Sequence, residues 1–193
     1  MKECKKKIAK QLLQINAIKL NPAKPFKWAS GWNSPIYCDN RKTLSYPEVR
    51  QSICRCFTES IKLKYPDAEG IAGVATGAIA HGILVAESLN LPFIYIRSTA
   101  KSHGLGNQIE GVYKEKQKFV VIEDLISTGG SSLSAVKALR DANCGVLGMM
   151  AIFTYGFPVA VDNFLNANCE LDTLSNYDVL IELAAKEGYI TDN

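Results

Sequence analysis

The stretch that decides the fold is Phe119-Val-Val-Ile-Glu-Asp-Leu-Ile-Ser-Thr-Gly-Gly-Ser131. Its first four residues are apolar and predict a buried strand, and Leu133, Val136 and Leu139 follow at helical spacing. The Ser/Thr/Gly turn between them can direct successive N–H groups at one anion, because glycine permits close backbone approach and positive φ. The helix that begins there adds the partial positive charge of its N-terminus. The stretch therefore predicts a phosphate site.

Two adjacent carboxylates, Glu123 and Asp124, follow the apolar run. Next to a phosphate they make chemical sense if they accept hydrogen bonds from hydroxyls, such as a ribose diol, or hold a magnesium ion through water. A diol and a phosphate together describe a ribose 5-phosphate. The alternative is a capped strand–turn–helix with two solvated acids. A Walker loop is excluded by the missing Gly-Lys-Ser/Thr, and a dinucleotide fingerprint by the glycine spacing.

The same strand-then-helix pattern continues on both sides of this stretch. Apolar runs at 69–75, 93–96, 146–153 and around Leu171 predict strands, and helical spacing is found over 3–19, from Pro47, up to Leu89, and over 160–165 and 177–185. Continuous apolar strands separated by helices indicate an α/β fold, a parallel sheet with helices on both faces. We expect a single domain over 1–193, with a small N-terminal hood at about 1–45 and a core at about 46–193. Ligands of such sheets bind at the carboxyl ends of the strands.

The composition is that of an ordinary globular protein: 193 residues, 47% hydrophobic, 21% charged and a net charge of +3. The charge suits an anionic substrate but is too small to indicate nucleic acid, and no apolar run is long enough for a membrane span. We expect no signal peptide, because no apolar block follows the basic start. The six cysteines form no Cys-x-x-Cys pair, so reduced thiols in a cytoplasmic protein are expected.

A second polar segment, Arg97-Ser-Thr-Ala-Lys-Ser-His-Gly-Leu-Gly-Asn-Gln-Ile-Glu-Gly111, follows the predicted strand 93–96. Its glycines favour a loop that opens and closes. Arg97, Lys101 and His103 could converge on a pyrophosphate, or the segment could be a surface loop with incidental charges.

Residues 121–131 resemble the phosphoribosyl pyrophosphate (PRPP) motif of the type I phosphoribosyltransferases, in the form found in bacterial orotate phosphoribosyltransferases. Residues 95–111 resemble the catalytic loop of that family, and Ser34-Pro-Ile-Tyr37 resembles its hood. The resemblance implies a type I phosphoribosyltransferase core that transfers ribose 5-phosphate from PRPP to orotate, giving orotidine 5′-monophosphate and pyrophosphate in pyrimidine biosynthesis. It assigns catalytic roles to Lys101, His103 and Asp124, and it places Ser127 near orotate. The PRPP contacts that it implies are Arg97, Lys101, His103, Glu123, Asp124, Leu125, Ile126, Ser127, Thr128, Gly129, Gly130 and Ser131.

The resemblance also implies magnesium held mainly by substrate and water, with no direct protein ligand, and a homodimer in which each loop closes over the neighbouring site. Many relatives carry lysines at the positions of Ala29 and Ser98, and some carry a lysine at Gly77 or an orotate-binding arginine at Tyr155. A branch of bacterial relatives is similar to this chain at all four positions. Two alternatives stay open: a phosphoribosyltransferase that acts on a purine base, and a ligand-sensing regulator that has lost catalysis. No nucleic-acid or membrane partner is expected.

Overall fold

The computed structural model describes residues 2–28, 31, 33–97 and 108–190. In chain order its elements are α1 (Lys2–Gln14), β1 (Ile18–Leu20), β2 (Phe26–Lys27), β3 (Asn33–Ser34), β4 (Ile36–Cys38), a 3₁₀ helix (Asn40–Ser45), α2 (Pro47–Lys64), β5 (Gly70–Val74), α3 (Ile79–Leu89), β6 (Phe93–Ile96), β7 (Ile109–Glu110), β8 (Lys118–Ile126), α4 (Gly130–Asp141), β9 (Gly145–Thr154), α5 (Pro158–Asn166), β10 (Leu171–Asn176) and α6 (Tyr177–Lys186).

The centre of the molecule is a six-stranded sheet in the order β10-β9-β8-β5-β6-β7. The first five strands are parallel, and β7 pairs with β6 in the antiparallel direction. The two-residue β7 was not predicted, because so short a strand leaves no periodic pattern. The parallel core confirms the expected α/β fold.

Side chains of β8 alternate between two apolar clusters, as a sheet covered on both faces requires. Val120 and Ile122 pack in one cluster with residues of α1, α2, α3 and α6. Phe119 and Val121 pack in the other with residues of α4 and α5. All four side chains are fully buried, which accounts for the continuous apolar run in the sequence. The predicted covering of both faces is confirmed.

Helix α1 ends earlier than the spacing over 3–19 predicts. Asn16 has a left-handed φ of 53°, and Ala17 donates to the carbonyl of Leu12 while Asn16 donates to that of Leu13. These two bonds form a Schellman motif, which stops the helix. The chain then turns into β1, where Ile18 pairs with Cys38 of β4. The apolar residues near 15–18 suit both structures, and tertiary pairing selects the strand.

Helix α2 shows the predicted amphipathic face. Pro47 occupies its first turn, where the missing N–H costs nothing, and Val49, Ile53, Phe57 and Ile61 are buried. With 18 residues it is the longest described helix. None of the helices in the described ranges combines the length and the apolarity needed to cross a bilayer.

The cysteines depart from the expectation of six reduced thiols. Cys4 of α1 and Cys56 of α2 form a disulfide across 52 residues of sequence, with their Cα atoms 6.3 Å apart. That spacing lies within the usual disulfide range, and helix packing, which the sequence does not display, brings the two residues together. The other cysteines are free: Cys38, Cys54, Cys144 and Cys169.

Candidate active site

A cavity of about 490 Å³ opens at the carboxyl ends of β5 and β8. This is the edge of the sheet where the α/β pattern predicts ligand binding. The segments that line it come from the hood, the loop after β5, the end of β8 and the first turn of α4: Cys38, Asp39, Asn40, Arg41, Val74, Ala75, Thr76, Gly77, Glu123, Asp124, Leu125 and Ser131.

Glu123 lies at the base of this cavity and is only 5% exposed. Its Oε2 accepts a hydrogen bond from Ser132 Oγ at 2.7 Å, and its Oε1 accepts one from the Asp124 N–H at 2.9 Å. Burial, reinforced by the neighbouring Asp124 carboxylate, raises the pKa of Glu123 to about 8. Glu123 is therefore mostly protonated at neutral pH, which lowers the negative charge that the cavity presents to an anion.

The Asp124 side chain is half-buried and extends over the loop that follows β5. A Cβ at Gly77 would lie 2.6 Å from Asp124 Oδ1 and closer still to Oδ2 and Cγ. The carboxylate thus occupies the space that a side chain at position 77 would need. This contact explains why residue 77 is glycine in this chain, and it brings Asp124 against the loop that follows β5.

The turn between β8 and α4 has the form that the sequence predicts for a phosphate cradle. Gly129 has φ of 84° and packs against Phe164 of α5, so this position has no room for a side chain. Asn163 Nδ2 donates to the carbonyl of Thr128 at 2.9 Å and holds the turn from outside. The N-terminus of α4 follows directly, with its free N–H groups and partial positive charge.

The predicted phosphate contacts differ in their access to solvent. Thr128, Gly130 and Ser131 are exposed, and Ser127 is half-buried. Ile126 is fully buried in the cluster beneath α4, and its carbonyl accepts from the Tyr155 N–H, so its side chain faces the core. Leu125 is half-buried and lines the cavity.

The predicted catalytic loop is described only at its two ends. The Arg97 N–H donates to the Gln108 carbonyl at 2.9 Å, which joins the two ends of the segment. Arg97 Nη1 lies 3.5 Å from Glu110 Oε1. Arg97 is outside the cavity that Asp124 lines. Lys101 and His103, with Ser98 and Ala29, lie outside the described residues, so their predicted roles stay predictions.

No family model matches the chain. Two relatives named orotate phosphoribosyltransferase match nearly all of it. The relative from Phocaeicola vulgatus is 57% identical over 192 residues, covering 100% of this chain and 91% of its own length. The relative from Streptococcus pneumoniae is 56% identical over 186 residues, covering 96% and 89%. The chain belongs to the orotate phosphoribosyltransferase family.

The fold of this family member is also found in a solved structure. The orotate phosphoribosyltransferase of Aeropyrum pernix superposes with a TM-score of 0.82 at 24% identity, over 95% of this chain and 99% of that one. At 24% sequence identity, this superposition shows that the two proteins share a fold and no more than that. The suspected family is thus confirmed by the sequence relatives, and the expected fold by the solved structure.

Sequence reasoning missed the polar residues that the hood contributes to this family member's cavity. Arg41 is the only cationic side chain among the described residues that line it, and its Nε donates to Asp39 Oδ1 at 2.7 Å. That hydrogen bond lowers the pKa of Asp39. A 3₁₀ helix carries these residues to the sheet edge, and it leaves no periodic signal. The charged string Asp39-Asn-Arg41, shortly after the hood segment Ser34-Pro-Ile-Tyr37, was the available clue.

Tyr155, which occupies the position of an arginine in some members of the family, does not project into the cavity. It is 8% exposed, and its ring lies 4.8 Å from that of Trp28 and 5.5 Å from that of Phe157. Trp28 Nε1 in turn donates to the carbonyl of Ile36 at 3.0 Å. The tyrosine therefore joins the hood to the end of β9 through aromatic packing.

Proposed function

We propose that the protein transfers the ribose 5-phosphate of PRPP to orotate, producing orotidine 5′-monophosphate and pyrophosphate, as a cytoplasmic step of pyrimidine biosynthesis. The observation that carries the proposal is that Asp124 and the Thr128–Ser131 turn lie at the same edge of the sheet. The chain that carries them is 57% identical to a relative named orotate phosphoribosyltransferase. The ring nitrogen of the orotate anion can attack the ribose carbon directly, so the reaction needs no general base from the protein.

Within this proposal the described residues bind and orient PRPP. The N–H groups and hydroxyls of Ser127 to Ser131 hold the 5-phosphate at the N-terminus of α4. Asp124 accepts hydrogen bonds from the ribose hydroxyls. Glu123, protonated and bonded to Ser132, supports Asp124 from below. Ser127, which is half-buried in the same turn, would contact orotate, as the family resemblance implies.

Magnesium fits this site as an ion held by substrate and water. The described residues contain no group of three or more His, Cys, Asp or Glu side chains that could hold a metal ion. Asp124 could contact the ion through water, as hard cations that keep part of their hydration shell allow. When bound, magnesium neutralises charge on the departing pyrophosphate.

The proposed chemical step depends on charge neutralisation and exclusion of water. Departure of pyrophosphate leaves an oxocarbenium-like ribose carbon, and Lys101 and His103 stabilise the negative charge that develops on the leaving group. Closure of the 97–111 loop, together with contacts from Arg97, keeps water from capturing that carbon.

The proposal is tested by supplying the protein with magnesium, PRPP and one acceptor at a time: orotate, uracil, adenine or hypoxanthine. We expect product by chromatography with orotate only. Turnover with a purine and none with orotate would replace the proposal by the purine-base alternative, and no turnover with any acceptor would favour the regulator. Lys101→Ala should lose most of the activity, whereas Lys137→Ala, an exposed lysine paired with Asp141 on α4, should retain it.

We also propose that the chain acts as a single-domain homodimer with shared active sites. Lys101→Ala and Asp124→Asn would each inactivate both sites of their own dimer. Random mixing of the two variants places both substitutions in one site of each hybrid and leaves the other site native, so about a quarter of wild-type activity should return. A mixture that stays inactive although hybrids form would show that each subunit uses its own loop.

A further inference from the structure

A chain of buried, hydrogen-bonded polar groups connects the hood to the end of β8 and to α3. Asn40, the first residue of the 3₁₀ helix, donates from Nδ2 to the Asp124 carbonyl at 2.6 Å. Thr43 Oγ1 donates to the Asn40 carbonyl at 2.5 Å and lies 2.9 Å from His81 Nε2. Asn40, Thr43 and His81 are at most 1% exposed. The chain runs from the end of β8 to α3, the helix that follows the Gly77 loop.

The hydrogen-bond donors along this chain determine the protonation of His81. The one hydroxyl hydrogen of Thr43 is used toward the Asn40 carbonyl, so the contact with His81 requires a hydrogen on Nε2. Burial lowers the pKa of His81 to about 4, and the nearby positive charge of Arg50 acts in the same direction. The imidazole is therefore neutral and donates from Nε2 to Thr43 Oγ1.

Asn40 is held so that its amide can face only one way. Cys38 Sγ donates to Asn40 Oδ1 at 3.3 Å, which leaves Nδ2 for the Asp124 carbonyl. The Asp124 peptide is thereby fixed from the hood side, 84 residues away in sequence. The same residue's carboxylate rests over Gly77. A small rotation of this peptide would move the carboxylate relative to the loop after β5.

We propose that Asn40 is a positioning residue for PRPP: its amide sets the orientation of the Asp124 carboxylate, and Thr43 and His81 hold the amide in place against α3. The inference rests on the proposed function, because it assigns Asp124 to the ribose hydroxyls. It places a determinant of PRPP affinity in the hood, outside the acidic stretch that carries the motif. Asn40 acts through Asp124 and makes no contact with the reacting atoms.

The decisive variants are Asn40→Asp, assayed at a pH where the new carboxyl is ionised and cannot donate to the Asp124 carbonyl, and Asn40→Ala, which has no donor at any pH. We expect kcat/KM for PRPP to fall by roughly 10–100-fold, the range associated with a misplacement of about 1 Å, and calorimetric binding of PRPP with magnesium to weaken in parallel. Asn40→Ala should behave similarly, so the outcome does not depend on one variant folding.

Ser175→Ala is the matched control. Ser175 is fully buried, and its Oγ donates to the Lys5 carbonyl at 3.0 Å, at the junction of β10 and α1. Its loss should lower the melting temperature while leaving kcat/KM for PRPP within twofold of wild type. Wild-type kinetics for Asn40→Asp would overturn the inference about Asn40 but would leave the proposed function standing. A wild-type protein that binds PRPP but does not use orotate would overturn the proposed function, and the binding comparison would still test Asn40.

Discussion

Replacing Gly77 with alanine tests the contact on which the site geometry depends. An added Cβ would lie 2.6 Å from Asp124 Oδ1 and nearer still to Oδ2 and Cγ, whereas ordinary contact begins at 3.4 Å. The carboxylate must therefore retreat by about 1 Å, a displacement that typically costs up to about 100-fold in rate when it affects a positioning group. We expect kcat/KM for PRPP to fall by roughly 10–100-fold while the protein stays folded.

The assay is steady-state formation of orotidine 5′-monophosphate, with PRPP varied at saturating orotate and magnesium. Gly145→Ala is the control, because a Cβ there would be 3.4 Å from Lys118 Cγ, an ordinary contact at the amino end of β9. Near-normal kinetics for Gly77→Ala would refute the reasoning, since they would show that Asp124 can leave Gly77 without consequence for the substrate. Equal losses in both variants would point to a general effect on stability.

Three further outcomes are expected. The pKa of Glu123 is raised by burial from its ordinary value to about 8, so the wild type should lose stability relative to Glu123→Gln as the pH rises from about 5 to about 8; melting temperatures that stay parallel would contradict this. Tyr155→Arg should lower the free energy of unfolding in urea by roughly 1–3 kcal/mol, because a side chain of different shape must be accommodated in a close-packed aromatic site, whereas Tyr155→Phe should cost less. Arg41→Ala should raise KM for PRPP about threefold to tenfold, because the described lining of the cavity loses its one cation and with it part of the attraction for a polyanion, and the effect should diminish in high salt.

Much of the site could be predicted because its parts are consecutive in the chain. The apolar run from Phe119, the acidic pair and the glycine turn form one strand–turn–helix unit, whose geometry follows from local sterics and hydrogen bonding. The sheet class followed similarly from the repeated strand-and-helix periodicity. The position of Thr128 to Ser131 at a helix N-terminus needed no tertiary contact.

Other features depended on residues that are distant in sequence. The end of α1 at Gln14 depends on the pairing of Ile18 with Cys38, and the cysteine pairing depends on the packing of α1 against α2. Periodicity reports which residues face a core, but it does not report which distant residue they meet there.

The sequence by itself determined that Glu123 and Asp124 follow a buried apolar run and precede a glycine turn that opens a helix. Only the tertiary structure decided how the two acids differ: Glu123 is buried, with its pKa raised and its carboxyl bonded to Ser132, whereas Asp124 rests over Gly77 with its carbonyl bonded to Asn40. The physical reason is that protonation and orientation depend on burial and on partners 84 residues away, and these exist only after the chain has folded.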